Sequence, residues 1–242
     1  MDTTRAVPPP QSRSRFLPWA DDPVGGTRRG WSPAALVRRA PAVVTYLVVC
    51  VVLFVPTARR VPGNVSIDLE RLDRFLYHIP DLSQDFPLAV RSLLTGPFLN
   101  HNLVQFAYVA LLLVLFAVPF EIREGARRTA LIFFATSFVA ALFAGTLLHL
   151  IYPEVLDNAF LEKAWERTWS GGSAGCFGLM GALAARARTP WPLLGLFAAW
   201  EVTVVVAYLR EYTPAFHLTA LLTGFALARW VLRPRQRVAE ER

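Results

Sequence analysis

The chain has 242 residues, of which 54% are hydrophobic and 18% are charged. Soluble globular domains are usually nearer a quarter charged, so this composition excludes an ordinary soluble domain. The net charge is +7, but no groove of interleaved basic and aromatic residues is visible, and we expect no nucleic-acid partner. Cys50 and Cys176 both lie in apolar runs, which excludes a disulfide scaffold or a cysteine metal site.

The first 39 residues are polar and show no periodic pattern. They contain three consecutive prolines at 8–10 and seven arginines, a composition typical of disordered segments. No short apolar core follows a basic start, so we expect no cleavable signal peptide. We predict that residues 1–39 are a disordered cytoplasmic tail and that residues 233–242 are a second, basic cytoplasmic tail.

Six apolar stretches lie between these tails. A helix needs about 20 mostly apolar residues to cross a bilayer, and backbone groups in lipid must bond within their own segment. The predicted fold class is therefore an all-α polytopic membrane protein, in which residues 40–232 form one bundle of six transmembrane helices. The stretches are 40–58, 92–120, 129–153, 168–185, 189–209 and 212–228.

Two segments depart from simple crossings. The stretch 92–120 is too long for one crossing, and Pro97 together with the polar residues 100–102 predicts an irregular entry, with the helix beginning near Asn102. In the connection 59–91, apolar residues recur at helical spacing between Leu69 and Ile79. That spacing predicts an amphipathic helix at the membrane surface.

Basic residues are unequally divided between the two sides of the predicted bundle. With the N-terminus inside, the cytoplasmic segments hold 17 basic and 7 acidic residues, and the other side holds 8 basic and 10 acidic residues. This follows the positive-inside rule. We predict a multi-pass protein, with the lipid bilayer around it and both termini cytoplasmic, in the plasma membrane.

Residues 171–182, with the sequence GGSAGCFGLMGA, are the strongest candidate for a chemical site. The Gly-x-Ser-x-Gly pattern marks a nucleophile elbow in α/β-hydrolases, but no strand is expected before it here. The alternative is Ser173 at the N-terminus of a membrane helix, where free N–H groups can stabilise an oxyanion. The same glycines also suit helix packing and a cap alone.

His217 lies on the sixth stretch, above Ala220 and Gly224 on one face. If these small residues pack on Gly178 and Gly181, His217 comes level with Ser173. A serine beside a histidine is a nucleophile with its general base. A lone intramembrane histidine can equally be structural, so both interpretations stay open from spacing alone.

Four blocks, at 90–99, 121–125, 171–182 and 216–224, resemble the rhomboid family of intramembrane serine proteases. The resemblance implies a six-helix rhomboid-like bundle that cuts transmembrane protein substrates. It implies Ser173 as nucleophile and His217 as general base with no aspartate needed. Gly171 and Phe177 would support the site, Phe177 lying against the histidine ring.

The second helix departs from the family pattern. Rhomboids usually carry His-x-x-x-Asn there to hold the oxyanion, and the matching positions are Gln105 and Val109. The Gln105 amide can donate, whereas Val109 cannot. His101 lies nearby but outside this spacing. Ala174, Phe216 and Ala220 also replace smaller residues of the family's motifs.

Glu201 interrupts the fifth stretch at its middle. A bare carboxylate is costly there, so we expect it to be hydrogen-bonded in the bundle, paired with an arginine or facing a substrate gate, with a structural role favoured. Two other functions compete with proteolysis: an inactive rhomboid-like protein that binds membrane helices, and a proton-coupled transporter that uses Glu201 and His217. No metal or cofactor is expected, because neither zincin spacing nor a phosphate loop occurs.

Overall fold

The computed structural model describes residues 37–187, 189–203 and 211–232, and this part of the chain is mostly helical. Apart from residues 37–39, the predicted tails 1–39 and 233–242 lie outside the described residues. The helices are α1 (Pro41–Thr57), α2 (Leu69–Leu72), α3 (Asp81–Gln84), α4 (Phe86–Thr95), α5 (Leu103–Leu112), α6 (Val118–Glu124), α7 (Ala126–Ile151), α8 (Ala159–Glu166), α9 (Ser173–Arg186), α10 (Trp191–Trp200) and α11 (Thr213–Ala226).

Two helices among the described residues are long and apolar enough to cross a membrane. The first is Leu103–Glu124, in which a π-helical turn joins α5 to α6, and the second is α7. They correspond to the second and third predicted stretches, and Asn102 caps the first of them by accepting from the Gln105 N–H. The helix α1 is apolar but shorter, and the count of six crossings stays a prediction.

The fourth helix begins later than predicted. Its apolar stretch starts at residue 168, but Trp169 is in extended chain and exchanges backbone hydrogen bonds with Tyr77 at 2.8 and 3.0 Å. The helix α9 therefore starts only at Ser173. The fifth stretch forms α10 at its beginning, and its last residues, 204–210, lie outside the described part.

A small β-hairpin was not expected in an all-α chain. Strands β1 (Ala58–Val61) and β2 (Asn64–Ile67) pair antiparallel, and Gly63 turns the chain with φ of +74°, a conformation that favours glycine. The Ile67 N–H and the Ser66 hydroxyl both donate to the His101 carbonyl, at 2.9 and 2.7 Å. The hairpin thereby holds the segment that enters α5.

The predicted amphipathic helix between Leu69 and Ile79 is wrong beyond Phe75. Helix α2 ends at Leu72, and a 3₁₀ turn follows over Asp73–Phe75. Leu76 and Ile79 are fully buried, but the extended pairing of Tyr77 with Trp169 replaces the helix there. Their apolar side chains anchor an irregular segment instead.

The helix α9 is the centre of the bundle, and every residue from Gly175 to Ala185 is buried. Its glycines allow backbone contact with α11, as the small-residue pattern predicted. A Cβ on Gly181 would lie 1.9 Å from the Leu221 carbonyl oxygen, and a Cβ on Gly224 would lie 1.9 Å from the Gly178 carbonyl oxygen. Such close approach of small residues is typical of helices packed in membranes.

Charged groups hold the end of the bundle opposite Ser173. Glu124 pairs with Arg128 at 2.5 Å and with Arg186 at 3.0 Å, and Arg186 also donates to the carbonyls of Ala228 and Leu232, both at 2.7 Å. These contacts join the C-terminal end of α9 to α6, α7 and the π-helical turn after α11.

The helix α1 is fixed to the rest of the bundle at two points. The Glu121 carboxylate accepts the N–H groups of Ala42 and Val43 at 2.7 and 2.9 Å, which satisfies free donors at a helix N-terminus. Further along α1, the Tyr46 hydroxyl donates to the Pro97 carbonyl at 2.5 Å. The first helix is therefore hydrogen-bonded to α6 through Glu121 and to the segment before α5 through the Pro97 carbonyl.

Candidate active site

The turn before Ser173 requires glycine at two positions. Gly171 has φ of +99°, which lies in the left-handed region, and a Cβ there would be 2.6 Å from Gln105 Nε2. At Gly172 a Cβ would be 2.0 Å from the Tyr46 hydroxyl oxygen. The two glycines let this turn pack against α1 and α5, and Ser173 then begins α9, where the first N–H groups have no intrahelical partner.

The structure brings His217 to Ser173. His217 lies on α11 one turn above Ala220, which is fully buried against the core. Its Nε2 is 2.9 Å from the Ser173 Oγ, within the range for hydrogen bonding between a nucleophile and its base. Because the glycine contacts fix α9 against α11, this distance follows from the packing of the two helices.

The ring of Phe177 lies flat against the His217 imidazole. The ring centroids are 4.1 Å apart and the planes differ by 9°. Phe177 is one helical turn after Ser173 and is buried, so its own position is fixed. This contact restricts rotation of the imidazole about its bond to the helix, as the resemblance implied for this residue.

Glu201 contacts the other side of the same imidazole. Its Oε2 is 2.9 Å from His217 Nδ1, and both side chains are buried. Sequence reasoning favoured a structural role and did not place Glu201 in the site. A signal was present, since Glu201 is the one charged residue in the fifth apolar stretch, and an intramembrane carboxylate is a functional candidate by default.

Gln105 fixes the chain on both sides of the site. Its Nε2 donates to the Ser170 carbonyl at 2.9 Å, and its Oε1 accepts the His101 N–H at 2.6 Å. One of its two amide N–H groups is thus engaged, and the other is available in principle. Val109 is buried in the core, and its aliphatic side chain has no hydrogen-bond donor.

A cavity of about 90 Å³ lies beside Ser173 and His217. This volume is enough for several water molecules, which need roughly 30 Å³ each. Its walls include polar groups from several elements, namely His101, Gln105, Arg167, Ser170 and Thr213. Ser173 and His217 therefore face a space that can hold water.

His101 is a polar wall residue that spacing did not single out. Burial, reinforced by the nearby Arg167 guanidinium, lowers the pKa of His101 to about 4, so its ring is neutral at physiological pH. Its Nε2 is buried and has no hydrogen-bond partner within the described part of the chain. Arg167 itself pairs with Glu211 and lies 4.9 Å from the Trp169 ring centroid.

Among residues 37–187, 189–203 and 211–232, no cluster of three histidine, cysteine, aspartate or glutamate side chains is arranged to hold a metal. Cys50 and Cys176 are buried free thiols. The groups that the structure brings together at the site are the Ser173 hydroxyl, the His217 imidazole and the Glu201 carboxylate.

Comparison with known protein families gives a match over most of the described bundle. A family model described as a rhomboid domain matches residues 88–234, more than half of the chain. The match contains Gln105, Ser173, Glu201 and His217 and begins after α1. No curated protein matches the sequence.

Proposed function

The chain belongs to the rhomboid family, whose members are generally serine proteases of the membrane, and on this premise we propose that it is an intramembrane serine endopeptidase. It hydrolyses peptide bonds in or near transmembrane segments of other proteins. The observation that carries the proposal is the 2.9 Å separation between Ser173 Oγ and His217 Nε2.

In the first half of the reaction, Ser173 Oγ attacks the carbonyl carbon of the scissile bond and its proton passes to His217 Nε2. The carbonyl oxygen takes the electron pair and lies near the free N–H groups at the start of α9. When this intermediate collapses, the C–N bond breaks and His217 gives its proton to the leaving amine. The carbonyl part stays bonded to Ser173 as an ester.

In the second half, water attacks the ester carbonyl while His217 Nε2 takes its proton. Collapse of this intermediate breaks the bond to Ser173, whose oxygen recovers the proton from His217. The cavity beside the two residues has room for the water that this step consumes. Non-helical backbone at membrane depth is tolerated only where protein or water satisfies it, so the substrate is a helix that unwinds locally at the cavity.

The proposal includes a topology. Rhomboid proteins are membrane proteins, and the described chain contains two helices suited to crossing. Six crossings with both termini cytoplasmic, in the plasma membrane, follow from the apolar stretches and the excess of basic residues on one side. Ser173 then lies toward the outer side, and transmembrane proteins of the same bilayer are the substrates.

The alternative function is a catalytically inactive rhomboid-like protein that binds membrane helices. It is favoured by Val109, which has no donor, and by the Gln105 amide, which already donates to Ser170. Losing one oxyanion donor typically lowers a rate by about 10²–10³-fold, which slows an enzyme without requiring that it be silent. The family match gives no support to the third hypothesis, a proton-coupled transporter.

The test combines a covalent probe with a cleavage assay. The purified full chain is treated in detergent with a fluorescent fluorophosphonate, and in liposomes with a single-span test protein. We expect labelling and a defined cleavage product, both lost in Ser173→Ala. Thr129→Ala is the matched control, since it removes another buried hydroxyl, one that donates to the Gly125 carbonyl at the start of its own helix and lies away from the cavity. A wild-type chain that gives neither signal supports the inactive alternative.

A further inference from the structure

The contact between Glu201 and His217 carries a role beyond the expected pair of catalytic residues. We propose that Glu201 is a positioning residue that completes a Ser173–His217–Glu201 triad, in place of a serine–histidine dyad. This inference rests on the proposed function, because positioning the imidazole has a catalytic meaning only if Ser173 is the nucleophile.

The first argument is the tautomer of His217. A neutral imidazole carries one proton, on Nδ1 or on Nε2. A carboxylate has no proton to donate, so Glu201 Oε2 at 2.9 Å from Nδ1 selects the tautomer with hydrogen on Nδ1. The lone pair of Nε2 then faces the Ser173 hydroxyl, which is the arrangement that a general base requires.

The second argument is the charge that develops during the reaction. When Ser173 attacks, His217 becomes a cation although its side chain is buried. Glu201 is 1% exposed, so its negative charge is weakly screened and stabilises that cation more strongly than a surface carboxylate would. The interaction is stronger in the transition state than in the resting enzyme, which is the condition for raising kcat.

The third argument is that each neighbour of the imidazole constrains a different property of the ring. Phe177 holds the plane of the imidazole but cannot distinguish the two nitrogens. Glu201 reaches only Nδ1 among the described contacts of the ring and Ser173 reaches Nε2. Together, Ser173 and Phe177 on α9 and Glu201 after α10 fix the plane, the rotation and the protonation of His217.

A structural role for Glu201 makes different predictions. If the carboxylate only satisfied the imidazole in the core, its replacement would lower the folded fraction and leave the turnover of each folded molecule unchanged. A positioning role lowers kcat per folded molecule while KM changes little. The two are therefore separated by kinetics normalised to folded protein and by the proton position on His217.

The kinetic experiment uses the full chain in liposomes with the single-span test protein. We expect Glu201→Gln to lower kcat by about 10²–10⁴-fold, as replacing the acid of a triad by its amide does. Glu201→Asp keeps the charge on a shorter side chain and should recover part of that loss. The matched control is Glu121→Gln, an equally buried carboxylate that accepts the N–H groups of Ala42 and Val43; it should keep the wild-type kcat per folded molecule.

The spectroscopic experiment needs no turnover. The chain has four histidines, so ¹⁵N-histidine NMR in detergent is tractable, and the His217 signals are assigned by their loss in His217→Gln. We expect a proton on Nδ1 and a bare Nε2 in the wild type, and a mixture of tautomers in Glu201→Gln. A wild-type ring protonated on Nε2 overturns the inference.

The outcomes distinguish the two proposals. A wild type without Ser173-dependent labelling or cleavage overturns the proposed function. A wild type that cleaves, with a Glu201→Gln variant of equal kcat per folded molecule, overturns only the triad. If Glu201→Gln does not fold, Glu201→Asp and the wild-type tautomer decide the inference.

Discussion

Replacing Gly224 by alanine tests whether the helix contact sets the geometry of the site. An added Cβ would lie 1.9 Å from the Gly178 carbonyl oxygen and 2.8 Å from its Cα, whereas ordinary contact begins at 3.4 Å. Because the obstruction is backbone, α9 and α11 have to move apart by about 1.5 Å at that point. Overpacking of this kind costs about 1–3 kcal/mol of stability.

The same displacement reaches Ser173 and His217, whose 2.9 Å contact has little tolerance before the hydrogen bond is lost. A misplacement of ~1 Å can lower a rate by about 10²-fold. We therefore expect Gly224→Ala to unfold at lower temperature in detergent and to react with the fluorophosphonate about 10²-fold more slowly per folded molecule.

Gly195→Ala is the matched control for this prediction. Gly195 lies within α10, and a Cβ there would meet nothing within 4 Å, so the same substitution should leave both stability and labelling unimpaired. If Gly224→Ala matches the wild type in both measurements, helix contact does not set the distance between serine and histidine, and the reasoning is refuted.

Three further predictions concern other contacts. Phe177→Leu removes the flat ring contact with His217, and labelling should slow about three- to tenfold, since such ring pairs contribute ~0.5–1.5 kcal/mol. Arg186→Gln leaves Glu124 paired with Arg128 but without Arg186, so the free energy of unfolding should fall by about 1–3 kcal/mol, with labelling per folded molecule unchanged. The pKa of His101 is lowered to about 4 in the folded chain, so the unfolded chain binds a proton at this imidazole at a higher pH than the folded chain does. Up to ~3 kcal/mol of stability should therefore be lost as the pH falls from about 6.5 to about 4.

Each of these three predictions has a result that would contradict it. Wild-type labelling in Phe177→Leu would show that the ring contact does not orient the base, and wild-type stability in Arg186→Gln would show that the ion pair is dispensable. For His101, the acid unfolding profile is compared with that of His101→Gln. Identical profiles would mean that the imidazole of His101 does not resist protonation in the folded chain.

The parts predictable from sequence are those set by composition and short spacing. Apolar length identified the helices that became Leu103–Glu124 and Ala126–Ile151, and small residues three or four apart predicted the close contact between α9 and α11. Ser173 was named from its glycine-rich pattern and His217 from the face that it shares with Ala220 and Gly224, whereas Phe177 was named from the family resemblance. Periodicity carries this information within a single helix.

The remaining features depend on contacts between segments that are far apart in sequence. Leu76 and Ile79 have helical spacing, but the pairing of Tyr77 with Trp169 overrides it. The sequence identified Glu201 as a charged residue that is costly to bury in an apolar stretch. Its partner, however, depends on how the chain after α10 packs against α11, which no local pattern specifies. The hairpin at 58–67 was missed because its strands have only four residues each.

The attachment of α1 bears on how this protein can be divided. The family match starts at residue 88, and α1 lies wholly before it. A fragment cut there would strip Glu121 of its two amide donors and remove the Tyr46 side chain, whose hydroxyl packs against Gly172 next to Ser173. The matched segment 88–234 therefore lacks the contacts that α1 makes with it, and expression of that segment alone should give an unstable product.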